Sequence, residues 1–249
     1  MAKKKSRNTR PAGGKRTRPP APAKAPAPPP KRGMSTNLKM TIGLIVAALV
    51  AIGVTVYLSG SGENPAAATD AQDERLVRPD SHKLSTAADG KATLVEFLDF
   101  ECEACGALYP EMERLRADYD GRITFVVRYF PLPGHANGEP AARAVEAAAA
   151  QGRFEEMYTR MFETQASWGE QQSPQDEVFF GFATELGLDM DAFKTAFADP
   201  ATAARVQKDQ DDGISLGVDR TPTVYLNGEP VDGPSYDSLK ERIDKALAS

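Results

Sequence analysis

The hydrophobic positions of this chain fall into three regimes. Residues 1–39 hold almost no apolar side chains apart from alanine and proline. Met40 to Leu58 is a run of nineteen residues without a charge, close to the ~20 that cross about 30 Å of hydrocarbon as a helix. Beyond it, apolar runs alternate with helical stripes. Thr93 to Phe100 is a near-continuous apolar run with Glu96 inside it, the pattern of a strand covered on both faces. Leu108, Met112, Leu115 and Tyr119 then recur at spacings of four, three and four, a core-facing helical stripe that Asp120-Gly121 ends. Ile123 to Phe130 is β-branched and aromatic, and stops at Pro131-Leu132-Pro133-Gly134.

Helical pattern fills the next seventy residues. Glu139-Pro140 opens an Ala-rich helix through about Gln151, with proline tolerated in its first turn. Further helices are predicted over about 154–165, 174–186, 189–197 and 201–216. Strand character returns at Thr223 to Leu226, turns at Asn227-Gly228, and resumes over Glu229 to Val231; an Asn-Gly pair between strand residues signals a two-residue hairpin. A last helix over about Tyr236 to Ala248 carries Tyr236, Leu239, Ile243 and Leu247 on one face. The order is strand–helix–strand, a helical insert, a hairpin and a closing helix. A βαβ crossover needs only ~30 residues, so the ninety between Phe130 and Thr223 must hold an extra helical subdomain.

Charge sharpens the division. The net −5 of the 249 residues conceals twelve Lys or Arg and no acid in residues 1–39, against eighteen basic and thirty-five acidic residues afterwards. The basic, Pro/Ala-rich segment cannot bury enough surface to offset its ordering entropy and reads as a disordered tail. With cations on one side only, the positive-inside rule leaves the tail in the cytoplasm and everything after Leu58 outside. A cleaved signal peptide has an apolar core of about 7–15 residues; this run is longer, and Ala66-Ala67-Ala68 lies eight residues beyond it, which favours a retained anchor. Residues 59–80 read as a linker and 81–249 as one domain. The tail has no aromatic residues, and nucleic-acid binding is not expected of it.

Only two cysteines occur, Cys102 and Cys105. They follow the first predicted strand and open the first predicted helix. The free N–H groups and positive end of a helix favour thiolate over thiol, which lowers the first cysteine's pKa; the second, one turn on, can resolve a mixed disulfide. A zinc site wants four ligands, haem attachment would need histidine where Gly106 stands, and a loop this small makes a poor structural staple. A redox dithiol is the reading that remains, with no cofactor beyond the Cys102-Cys105 disulfide and no metal. Outside the cytoplasm disulfides persist, and no other cysteine here needs pairing.

Three segments resemble the DsbA family of thioredoxin-fold thiol–disulfide oxidoreductases, in its membrane-anchored Gram-positive and actinobacterial form. They are Glu96-Phe97-Leu98-Asp99-Phe100-Glu101-Cys102-Glu103-Ala104-Cys105, Phe130-Pro131-Leu132-Pro133-Gly134-His135, and Gly217 to Gly228 around Arg220-Thr221-Pro222-Thr223. The resemblance covers about 83–249 and implies an α/β thioredoxin fold with a helical insert at about 135–216. It implies that Cys102 is the exposed nucleophile and Cys105 the resolving thiol. Thr221-Pro222 becomes a cis peptide that presents the Thr221 backbone to a substrate chain, and Glu96 a buried acid relaying a proton to Cys105. Implied partners are secreted or cell-surface proteins with cysteines and an oxidising membrane protein of DsbB-like or VKOR-like type.

Two departures bear on redox strength. Glu103 and Ala104 replace the proline and histidine common between the family's cysteines, and Arg220 stands where glycine is common, able to offset Glu103 if it points at Cys102. The expected activity is donation of the 102–105 disulfide to extracytoplasmic proteins. The rivals are a reductase or isomerase of the same fold and an anchored binding module without turnover.

Overall fold

The computed structural model describes residues 73–249. The predicted tail, the 40–58 span and most of the linker lie outside them. Among the described residues no helix is long and apolar enough to cross a membrane.

Five strands form one mixed sheet in the order β1-β3-β2-β4-β5. They are β1 (His82–Ser85), β2 (Thr93–Leu98), β3 (Thr124–Tyr129), β4 (Thr223–Leu226) and β5 (Glu229–Val231). β2 and β3 run parallel with Glu96 opposite Val127, and the other pairs are antiparallel. Helix α1 (Glu103–Asp118) makes the β2–β3 crossover. The insert consists of α2 (Gly138–Ala149), α3 (Phe154–Trp168), α4 (Asp176–Glu185), α5 (Met190–Ala198) and α6 (Pro200–Ser215), and α7 (Tyr236–Ala248) closes the chain.

Alternation along β2 decides what each face covers. Leu94 and Leu98 join the larger core with Met112, Leu115, Tyr158 and Ile243, while Val95 and Phe97 join a smaller one with Leu76, Phe130 and Val218. Glu96, in phase with Leu94 and Leu98, faces the larger core. On the other face α6 lies against the sheet: a Cβ on Gly213 would come within 2.7 Å of Phe130, so only glycine permits that approach.

The helix ends follow the sequence. Asp189 and Asp199 cap α5 and α6, with Pro200 in the first turn of α6, and Ser235 and Ser238 form a capping box on α7. Asn227 and Gly228, at φ 50° and 86°, make the hairpin turn with both central residues left-handed.

Two expectations change. The strand β1 was not predicted: it holds one buried residue, Leu84, and pairs only with β3. The linker does not run free to residue 80, because Leu76 is fully buried and its carbonyl accepts from Arg128 at 2.8 Å. Arg128 is itself buried between Asp209 and Asp212 of α6, and Arg78 shares Asp212. The folded unit therefore takes in Leu76 and Arg78, which the expected boundary at residue 81 left out.

Candidate active site

Both cysteines sit at the start of α1. Cys102 is its N-cap residue, in extended conformation, with no side-chain cap bond; its N–H donates to the Asp99 carbonyl at 3.1 Å. Cys105 is one turn on, and both are free thiols. Cys102 keeps 7% of its surface and Cys105 1%. The expected exposed nucleophile is thus a largely covered one, still the more accessible of the pair.

Their proton affinities diverge. Cys102 is brought down from 9.0 to about 5, first by a hydrogen bond from Cys105, against the opposing effect of burial. The Thr221 side chain and the N–H groups of Cys105 and Ala104 add to the lowering. Cys105 goes the other way: burial pushes it up, as do its bond to Cys102 and the charges of Glu96 and Cys102. One thiol is poised as a thiolate and its neighbour as a proton holder.

The Thr221–Pro222 peptide is cis. The Cys102 thiol donates to the Thr221 carbonyl at 3.5 Å, which brings the loop before β4 onto the helix start. Thr221 Oγ1 is buried and has no partner beside the thiol form, so its hydroxyl hydrogen is available once Cys102 ionises. Beside this contact runs a groove of about 850 Å³, lined by Ala104, Ala107 and Leu108 of α1 and by Pro222, Tyr225 and Pro230 opposite. Small residues on one wall and prolines on the other leave room for an extended chain.

Glu96 is buried under the helix. Burial first, and then the charges of Glu113 and Cys102, raise its carboxyl from 4.5 to about 8; it is a neutral acid at pH 7. Arg220 does not do what its position suggested. Its side chain is 79% exposed and bound to the adjacent Asp219 at 2.9 Å, so it is not committed to Cys102.

The insert supplies contacts that the sequence did not reveal. Gln165 of α3 donates from Nε2 to the carbonyls of Phe100 and Cys102 at 2.7 and 2.9 Å. Its Oε1 occupies the space a Cβ on Gly106 would need. Asn137 donates its N–H to Glu101 at 2.6 Å and its side chain to the carbonyls of Gln171 and Ser173. Asp99 is buried and accepts from the N–H groups of Glu101 and Leu132 and from His135 Nδ1. Two acids at 99 and 101, beside an apolar run, were the one visible hint of this clasp; nothing local marks Gln165.

Comparison with known proteins fits this geometry. A family model described as thioredoxin matches residues 86–245. The chain belongs to the thioredoxin family. A curated relative, the Na(+)/H(+) antiporter NhaA of Herminiimonas arsenicoxydans, is 36% identical over 165 residues, 66% of this chain but 25% of the relative. The chain therefore spans about a quarter of that relative's length. Among solved structures, a thioredoxin-like oxidoreductase from Silicibacter pomeroyi is similar with a TM-score of 0.61 at 24% identity, over 72% of this chain and 98% of that one. BdbD from Bacillus subtilis, in its oxidised form, gives 0.60 at 22% identity over 68% and 94%. These likenesses show the thioredoxin fold, and the C-x-x-C stands at its helix start.

Proposed function

We propose that the chain is a membrane-tethered disulfide donor for extracytoplasmic proteins. The observation that carries the donor sense is the thiolate of Cys102. A pKa of about 5 stabilises the reduced protein at pH 7 by roughly 3 kcal/mol relative to an ordinary thiol. Stabilising the reduced form makes the couple oxidising, by about 60 mV for that amount.

In the forward reaction a substrate thiolate attacks Sγ of Cys102 in the 102–105 disulfide. The new S–S bond forms as the old one breaks, and the electron pair leaves on Cys105. Glu96, neutral at pH 7 and buried beneath, gives that sulfur its proton. A second substrate thiolate then attacks the substrate sulfur of the mixed disulfide. Cys102 leaves as a thiolate, a good leaving group at its low pKa, so the substrate is oxidised by two electrons and the enzyme reduced by two. The Thr221 backbone and the adjoining groove hold the substrate segment in extended form.

Recycling requires an oxidising membrane partner of DsbB-like or VKOR-like type, and the uncharged run 40–58 with its one-sided cations supports placement of the domain outside the membrane. The antiporter named among the relatives carries a region like this chain within a much longer protein, which accords with thioredoxin-family domains working beside membranes. The test is Cys105→Ser in the full chain. It should trap mixed disulfides between Cys102 and cell-surface or secreted proteins, released by reductant. Absence of any thiol-dependent adduct from living cells would favour a binding module without turnover.

A further inference from the structure

The residues between the cysteines, Glu103 and Ala104, are exposed and offer no cation to Cys102. A potential cation approaches from another part of the chain. His135 lies in the connection between β3 and α2, and its Nδ1 meets Asp99 Oδ2 at 2.6 Å. Asp99 is placed tightly. Its Oδ1 accepts from Glu101 N at 2.9 Å, its Oδ2 also accepts from Leu132 N at 2.7 Å, and its carbonyl accepts from Cys102 N at 3.1 Å. A Cβ on Gly138 would fall 2.6 Å from Asp99 Oδ1, so glycine at the start of α2 is what lets the insert close over this carboxylate. Asp99 therefore joins the histidine ring, through its carboxylate, to the backbone N–H of Cys102, through its carbonyl.

The charged and titratable groups around His135 are acidic or thiol. Asp99 is on one side, and Glu170 Oε1 lies 3.9 Å from Nε2 on the other. Glu101, whose carboxylate accepts from Asn137 N, and Cys102 complete the set. Burial alone would lower the histidine's pKa, but the bond to Asp99 and then the charges of Asp99, Cys102 and Glu101 raise it above 6.5. The ring is 19% exposed, enough to exchange protons with solvent.

We propose that His135, oriented by Asp99, is a positioning residue that supplies to the Cys102 thiolate the positive charge missing from between the cysteines, and so strengthens the protein as an oxidant. This rests on Cys102 being the attacked sulfur. The coupling is reciprocal: if the thiolate raises the affinity of His135 for a proton, the protonated ring favours the thiolate by the same factor. A cation near a partly covered thiolate warrants a factor of about three to ten. As pH rises through the His135 pKa the charge is lost and the advantage goes with it.

The test needs no variant for its first arm. NMR titration of the wild-type domain should give His135 a pKa about half to one unit higher in the reduced than in the oxidised protein, with His82, bound to Glu146, as the internal control. In the second arm, His135→Gln should raise the Cys102 pKa by the same amount and lower the equilibrium constant for oxidising a dithiol about three- to tenfold, roughly 15–30 mV. His135→Arg should keep a low Cys102 pKa without the histidine inflection in the pH profile of alkylation. Equal His135 pKa values in the two redox states would overturn the proposal, whatever the variants do. So would Gln and Arg variants with the same Cys102 pKa. If Cys105→Ser still traps client proteins while His135 proves uncoupled, this inference fails and the donor reading stands.

Discussion

Cys102 and Cys105 differ in surroundings more than in sequence. The first caps α1 and receives hydrogen bonds; the second is buried above a neutral acid. In the reduced protein at pH 6, iodoacetamide should label Cys102 alone, because only that sulfur is ionised there; mass spectrometry showing equal labelling at low reagent excess would reverse the roles. Glu96 gives a second prediction at this scale. Its folded pKa of about 8 stands above the ordinary 4.5, so between those values the unfolded chain releases a proton that the folded one keeps. Stability is therefore full below about pH 4.5 and falls as pH rises toward 8. In the oxidised protein, where neither cysteine titrates, Glu96→Gln should raise Tm at pH 8 by about 2–4 °C or more and leave it unchanged near pH 4. The same substitution should slow release of Cys105 about 10- to 100-fold.

Element by element, the sequence was most readable where a pattern is local. β2, β3 and the hairpin of β4 and β5 show runs of β-formers and an Asn-Gly turn, and α1 and α7 show apolar stripes, so their positions agree with expectation to within two residues. β1 escaped because four residues with one buried side chain carry no period. In the site, the C-x-x-C, Thr221-Pro222 and Glu96 are visible as short motifs. The holds on the capping turn by Gln165 and His135 are not, since they join positions 36 to 65 residues apart. The same holds for Arg128, whose buried contacts to Asp209, Asp212 and the carbonyls of Arg75 and Leu76 fasten residues 73–78 to α6. Arg128→Met should cost about 3–5 kcal/mol, because it removes the buried cation between Asp209 and Asp212 and leaves the Arg75 and Leu76 carbonyls without their donor. Urea unfolding would measure this, and hydrogen exchange at Leu76 and Val77 should rise disproportionately.

For the whole molecule, the proposed topology places the redox domain outside the membrane and the basic tail inside, with residues 40–58 between them. Protease added to intact spheroplasts should digest the cysteine domain and spare an N-terminal tag; release of the entire domain into the medium would instead indicate cleavage near Ala68. Direction of electron flow is the central claim at this scale, since the same fold and cysteines serve a reductant equally well. Glu103 bears against a thiolate, while the helix start, Thr221 and Cys105 bring Cys102 to about 5, and the second group of effects is larger. The most direct measurement is the equilibrium reduction potential of the Cys102–Cys105 couple against glutathione at pH 7. The account predicts a value between about −250 and −130 mV, and a value at or below the ~−270 mV of thioredoxin would contradict it.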